Sequence, residues 1–210
     1  MIKKIDYSST IQDLEKYTLT HFSLREIRSK GDSLFKGYSS IEVSNIASQL
    51  FSSSQYQARM LATYILGKLA SQSTDAFELL KKTVSEDTDW RVQELLAMAF
   101  DTYCNDRGYE KSLTVIKDWL RDKKPNVRRA VTEGLRIWTS REYFKQHPQV
   151  AIDLLSTLKE DDSEYVRKSV GNALRDISKK EKELVNNELK TWNLQSKAIK
   201  QTYNLASKFL

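Results

Sequence analysis

Asp161-Asp162-Ser163-Glu164-Tyr165-Val166-Arg167-Lys168-Ser169-Val170-Gly171-Asn172-Ala173-Leu174-Arg175-Asp176 echoes an earlier stretch, Asp122-Lys123-Lys124-Pro125-Asn126-Val127-Arg128-Arg129-Ala130-Val131-Thr132-Glu133-Gly134-Leu135-Arg136. Each has an acidic residue, a polar turn, and then Val-Arg and a basic residue opening an apolar-periodic run. A second arginine stands seven places beyond that basic residue. Looser copies begin at Tyr56-Gln57 and Trp90-Arg91, so the starts fall at 56, 90, 127 and 166. A period of roughly 34 to 39 residues belongs to stacked helical hairpins. The chain reads as a helical repeat protein.

Composition agrees. The 210 residues hold only two prolines and six glycines, which leaves little room for the turns of a sheet. No apolar run is long enough to cross a bilayer, and Met1-Ile2-Lys3-Lys4-Ile5-Asp6 turns polar before a signal core could form. The expectation is a soluble, cytoplasmic monomer. One cysteine, Cys104, cannot form an internal disulfide, and two histidines with one cysteine do not make a usual zinc site, so neither metal nor cofactor is expected.

Net charge is +6 and unevenly spread. Residues 1–122 carry 16 basic and 17 acidic side chains and residues 123–210 carry 18 and 11, so the second part holds +7 and the first −1. Such asymmetry points to a polyanion followed by one face of the stack.

Helical periodicity places the elements. Ser8 or Ser9 caps a helix reaching to about Arg28, and Lys30-Gly31-Asp32 with Lys36-Gly37 forms a break. Ser39 or Ser40 then caps a helix with Ile41, Val43, Ile46, Ala47 and Leu50 as its apolar positions. Further helices are predicted at 54–70, 74–84, 89–104, 109–121, 125–138, 149–158, 163–177, 180–192 and 195–209, with Pro125 favourable in a first turn, where no N–H is needed. Paired hairpins stack into a superhelix with a concave inner face, giving one repeat domain over 1–210.

In the helix from Pro125, Val127, Ala130, Val131, Gly134, Leu135 and Trp138 form the inward stripe, and Arg129 and Arg136 lie two turns apart on a neighbouring one. In the helix from Ser163, Val166, Val170, Ala173, Leu174 and Ile177 point inward, and Lys168 and Arg175 match Arg129 and Arg136. These four cations form either a ladder for a phosphate backbone or a solvated surface. After Glu188 the chain carries Lys190, Lys197, Lys200 and Lys208 and no acid, which extends the basic groove or makes a charged outer face. Trp119 and Trp138 read as packing between repeats. His21, His147 and Cys104 have no partners at nucleophilic spacing, and no phosphate-cradling glycine loop is present.

The segments Trp90-Arg91-Val92-Gln93-Glu94, 127–138 and 165–179 resemble DNA alkylation repair proteins of the AlkC/AlkD type, over most of the chain from about Ser54 onward. That resemblance implies a HEAT-like superhelix, all-α, whose basic concave face holds duplex DNA, including damaged or distorted duplexes. Active members excise N3- or N7-alkylated purines by cutting the glycosidic bond. The Asp and Val-Arg positions around Arg128 and Arg167 resemble those through which HEAT repeats bond to their neighbours. In the AlkD-like pattern a tryptophan is followed four residues later by an aspartate, with a second tryptophan on a later repeat. Trp90 and Glu94 fit the first pair, and the later tryptophan falls at Asn172.

A carboxylate at Glu94 would stabilise the cation developing on the deoxyribose and position water, and aromatic faces attract a cationic base. Glu94 is one methylene longer than aspartate, however, and Asn172 offers no aromatic face. The N-terminal part before Trp90 is shorter than in AlkD-like enzymes, with 30–37 as a loop. Gly171-Asn172 is nearer the AlkC-like branch, without the added domain such enzymes can carry. Blander readings stand beside these: Trp90 as a core residue aligned with Val127 and Val166, Glu94 paired with Arg91 or Arg59, and Glu133 bridged to Arg129 or Arg136.

The resemblance therefore implies a DNA-binding member with weak or no base excision, contacting DNA through Arg91, Arg129, Arg136, Lys168, Asn172, Arg175 and Lys197. Its alternatives are an active alkylpurine glycosylase using Glu94 and Trp90, and a protein-binding scaffold.

Overall fold

The computed structural model describes residues 6–210, so the polar stretch 1–5 read above lies outside it. Every regular element among the described residues is helical: α1 (Ser8–Thr18), α2 (Leu24–Gly37), α3 (Ser40–Leu50), α4 (Tyr56–Leu69), α5 (Thr74–Lys82), α6 (Trp90–Arg107), α7 (Leu113–Leu120), α8 (Pro125–Trp138), α9 (Glu142–Gln146), α10 (Pro148–Ser156), α11 (Glu164–Ser178), α12 (Lys182–Lys190) and α13 (Lys197–Ala206), with short 3-10 turns at Val84–Glu86 and Ser207–Phe209. This is the all-α helical repeat that the period implies.

The chain divides into two compact units, one ending at Asp106 and one beginning at Arg107. In unit 1, α4 packs against α1, α2, α3 and α5, and most of its residues are buried. In unit 2, α11 lies between α8 and α13, burying Val166, Val170, Ala173, Leu174 and Ile177. Each of these valine, leucine and isoleucine side chains removed from water stabilises the fold by about 1.5 to 3 kcal/mol. Trp119 and Trp138 are fully buried, and Trp138 packs on Tyr109 and Phe144 at ring separations of 5.3 and 5.7 Å.

The N-terminal part differs from the sequence expectation. The first helix ends at Thr18, and Ser23 with Glu26 forms a capping box that starts α2. Residues 30–37 lie inside that helix and are not a break. The cost of glycine in a helix, about 1 kcal/mol, is outweighed because Ile27, Gly31 and Leu34 are buried, and a Cβ at Gly31 would stand 2.5 Å from the ring of Tyr64. Ile41 is 76% exposed and not a core position. Gly108, at φ +86°, lies just past the end of α6, and α7 begins later than its periodicity predicts. The short α9 had no distinct sequence signal.

A recurring arginine clip fixes the repeat register. Arg59 donates from Nη1 to the carbonyls of Ser53 and Ser54, and Arg128 does the same to Asp122 and Lys123. Arg167 repeats it on Asp161 and Asp162. The other edge of each guanidinium reaches one repeat ahead: Arg59 to Asp87, Arg128 to Asp161, and Arg167 to Gln201. Asp87 and Asp161 also accept the backbone N–H two residues on, ordering the turn before the next helix. Arg128 and Arg167 are thus inter-repeat fasteners. In the intervening repeat the position is Gln93, whose Nε2 donates to the carbonyls of Val84 and Asp87.

Candidate functional site

The clip corrects the sequence alignment by two residues. Val92-Gln93 corresponds to Val127-Arg128 and Val166-Arg167, so Trp90 matches Tyr56, Pro125 and Glu164, the first residues of their helices. Trp90 is accordingly 60% exposed and not a core residue. The Arg91 guanidinium lies 4.3 Å from the centre of the Tyr56 ring and 5.0 Å from that of Trp90, and it pairs with Asp89 at 2.9 Å. Two aromatic faces and a carboxylate therefore hold one cation at the start of α6. Glu94 follows Trp90 by one turn and is half-buried. Arg59, one of its suggested partners, is taken by Asp87, whose hydrogen bond raises the guanidinium pKa.

In unit 2 the four cations expected to form a ladder stand in different electrostatic settings. The side chain of Arg129 is only 7% exposed, its guanidinium is 4.3 Å from the centre of the Tyr165 ring, and Glu133 lies 3.4 Å away. It is a packed cation, because Tyr165 lies against it from the next repeat. Glu133 bridges Arg129 and Arg136, the latter at 3.0 Å. Arg136 also reaches Asp176 at 2.8 Å and keeps 34% exposure. Burial works against its charge, but the hydrogen bonds it donates to Asp176 and Glu133 outweigh it and raise its pKa.

Asp176 gathers three cations, Arg136, Lys179 and Arg175, at 2.8, 3.0 and 3.5 Å. Burial raises the pKa of this carboxyl, yet the bonds from Lys179 and Arg136 leave it below normal. Arg175 also lies 5.8 Å from the centre of the Phe209 ring. Lys168 is 54% exposed and pairs with Glu164 at 2.7 Å. Asn172 stands one turn further along α11, half-buried, and Lys197 is exposed as the first residue of α13.

Sequence reasoning missed Asp176, Tyr165 and Tyr56 as organisers. Asp176 adjoins Arg175 in the chain, but its bond to Arg136 spans 40 residues and has no local signature. It also missed a cleft of about 370 Å³ in unit 1, where Leu95, Met98 and Ala99 form part of the wall beside Arg28, Asp32 and Tyr64. Burial, then the bond to Asp32, pushes the Tyr64 hydroxyl pKa up to about 12.

Among the described residues no group of three or more histidine, cysteine, aspartate or glutamate side chains is placed to hold a metal ion, and no helix is long and apolar enough to cross a membrane. Cys104 is buried, and His21 stacks on Tyr17.

The chain is similar to AlkD2 from Streptococcus mutans, with 45% identity and a TM-score of 0.93 over 98% of this chain and 99% of that one. The alkylpurine DNA glycosylase AlkC of Pseudomonas fluorescens, solved bound to DNA containing an abasic site analog, shares the fold at 22% identity and a TM-score of 0.50, over 94% of this chain and 60% of that one. A Bacillus subtilis protein, YhaZ, is 37% identical over 87 residues, which are 40% of this chain and 24% of that protein. The family model for DNA alkylation repair enzymes matches residues 23–204. The helical repeat and this match over most of the chain agree, and the protein belongs to the DNA alkylation repair enzyme family.

Proposed function

We propose that this family member is a monomeric DNA-binding protein that holds duplex DNA by its phosphate backbone, with weak or no base excision. The carrying observation is the cationic surface of α11 and its neighbours: Lys168 and Lys197 are exposed, and Arg136 and Arg175 are oriented by Asp176. A guanidinium already held in place by a carboxylate loses less conformational freedom when it meets a phosphate than a free surface arginine would. Arg129 supports this set indirectly, by fixing Glu133 and Tyr165. Recurrence of the clip position at residues 59, 93, 128 and 167 supports reading 1–210 as one HEAT-like repeat domain.

Weak or absent excision follows from the residues at the reacting centre. The carboxylate at position 94 is on a glutamate, and displacement of a catalytic group by about 1 Å can cost roughly a hundredfold in rate. Asn172 supplies an amide and no aromatic face. One ring of the remaining pair, Trp90, already carries the Arg91 cation on its surface, which disfavours a second cation there. A second reading, an active N3/N7-alkylpurine glycosylase, is favoured by the exposure of Trp90 one turn from Glu94. Binding of a methylated duplex, measured beside single-turnover release of free alkylated base, separates the two. Robust release abolished by Glu94→Gln overturns the binding-only reading.

A further inference from the structure

We infer that the cleft between α11 and α13 is a subsite for one backbone phosphate, held by Arg167 and Lys197, a site that rests on the DNA-binding reading for the source of its phosphate. The three arginine clips supply the argument. Arg59 and Arg128 reach carboxylates, Asp87 and Asp161, whose side chains are almost wholly buried, so each of these clips is electrically neutral. Arg167 donates from the same two nitrogens, at 2.9 and 2.8 Å, but both bonds go to the single amide oxygen of Gln201. The fastener is kept while its direct partner carries no charge.

The charge on Arg167 faces a cleft. Glu164, Arg167, Lys197, Ala198 and Gln201 line a space of about 520 Å³. The acid among them, Glu164, is paired with Lys168 at 2.7 Å and also accepts a hydrogen bond from Gln201. Glu164 also feels the charge of Arg167, so Arg167 and Lys197, with Lys168 beside them, set three cations against the one acid of the lining. A guanidinium fixed by two carbonyls and an amide, beside a mobile ammonium, meets the requirement for a positioned phosphate contact: one rigid donor and one adaptable charge.

The test converts the third clip into the other two. In the full chain, Gln201→Glu, which keeps the side-chain length, supplies the missing carboxylate, as Asp161 does for Arg128. Short-duplex binding is then followed by fluorescence anisotropy across a salt series. Loss of one phosphate contact lowers the slope of log affinity against log salt by about 0.9. We expect that decrease and a several-fold loss of affinity for Gln201→Glu and for Lys197→Gln. Asn187→Asp, which adds the same charge on α12, should change affinity less than about twofold. A thermal midpoint of Gln201→Glu close to that of the wild type separates the effect from unfolding. Behaviour of Gln201→Glu indistinguishable from Asn187→Asp overturns the subsite.

Titration with inorganic phosphate, read on the Arg167 Nε–H and Ala198 amide NMR signals, tests the cleft without DNA. Shifts in the wild type that vanish in Gln201→Glu uphold the subsite even if duplex binding fails, in which case the DNA reading alone falls. Duplex binding with no such shifts sinks the subsite and leaves the DNA reading standing.

Discussion

Counted from the clip position, unit 1 and unit 2 place different chemistry on the same helix stripe. In α4 and α6 of unit 1 the three positions one, five and eight residues beyond it are Met60, Tyr64 and Gly67, then Glu94, Met98 and Asp101. In α8 and α11 of unit 2 they are Arg129, Glu133 and Arg136, then Lys168, Asn172 and Arg175. The first set carries two acids and no base, and the second carries four bases and one acid. Identical backbone geometry thus presents an acidic and apolar stripe in one unit and a cationic one in the other. The repeat decides where a side chain stands, and its identity decides whether the stripe suits a phosphate.

The largest expected effect comes from erasing the contrast. Neutralising Arg129, Arg136, Lys168 and Arg175 to glutamine should lower the salt slope of duplex binding by about three, one for each exposed contact. The fourth residue, Arg129, is buried and contributes through packing. An anisotropy titration showing an unchanged slope would rule out the stripe as the DNA-binding face.

The shared frame can be broken next. Asp161→Ala leaves the Arg128 guanidinium without its carboxylate in a largely buried setting, and we expect about 3 kcal/mol of destabilisation by urea unfolding. Asp87→Ala in unit 1 should cost a similar amount, since Arg59 makes the same bonds. A loss under about 1 kcal/mol in both would show that the clips are surface ornaments of the turns.

Excision sharpens the comparison from the side of unit 1. Wild-type protein should release little or no N7- or N3-alkylpurine in single-turnover assays. Glu94→Asp with Asn172→Trp should recover measurable release if those two side chains are what is missing. A double variant as inert as the wild type points elsewhere, to the segment before Ser39.

A smaller gain should follow from making unit 1 resemble unit 2. Glu94→Gln with Asp101→Asn removes two negative charges, and duplex affinity at low salt is expected to rise several-fold, with the rise fading as salt is added. Affinity that stays constant would mean that DNA never approaches this stripe.

The smallest effect is on pH dependence. Asp176 and Glu164 have folded-state pKa values below their ordinary ones, the first despite burial through Lys179 and Arg136, the second chiefly through Lys168. A depressed carboxyl pKa gives stability that is fully present above the unfolded value, near 4, and is lost as pH falls through the folded value. Urea midpoints should therefore decline below about pH 4, and Asp176→Asn should flatten that decline. An equally steep decline in the variant would remove Asp176 from the acid-sensitive set.

The helical repeat was legible because Val-Arg and the aspartate six residues before it lie close together in the chain and recur. Their resemblance to the Asp and Val-Arg positions of HEAT repeats implied that Arg128 and Arg167 bond between neighbouring repeats, and the structure supplies the bonds. The N-terminal region was less legible. Gly31 and Gly37 read as a break from propensity, yet α2 runs through both, because Ile27, Gly31 and Leu34 are buried in unit 1. Tertiary packing there exceeds a local preference of about 1 kcal/mol.

For the candidate site, the amino-acid order determined which residues share a stripe, since a 3.6-residue period projects Arg129 and Arg136, or Lys168 and Arg175, onto one face without further information. It also determined the charge bias of residues 123–210. Only the tertiary structure decided the state of each cation. Arg129 is buried beneath Tyr165, Arg136 is held by Asp176, Trp90 stands exposed, and Arg167 faces an amide where Arg128 faces a carboxylate. These outcomes depend on partners 33 to 40 residues away, or on how far a helix start projects from its neighbours, and no local periodicity encodes either.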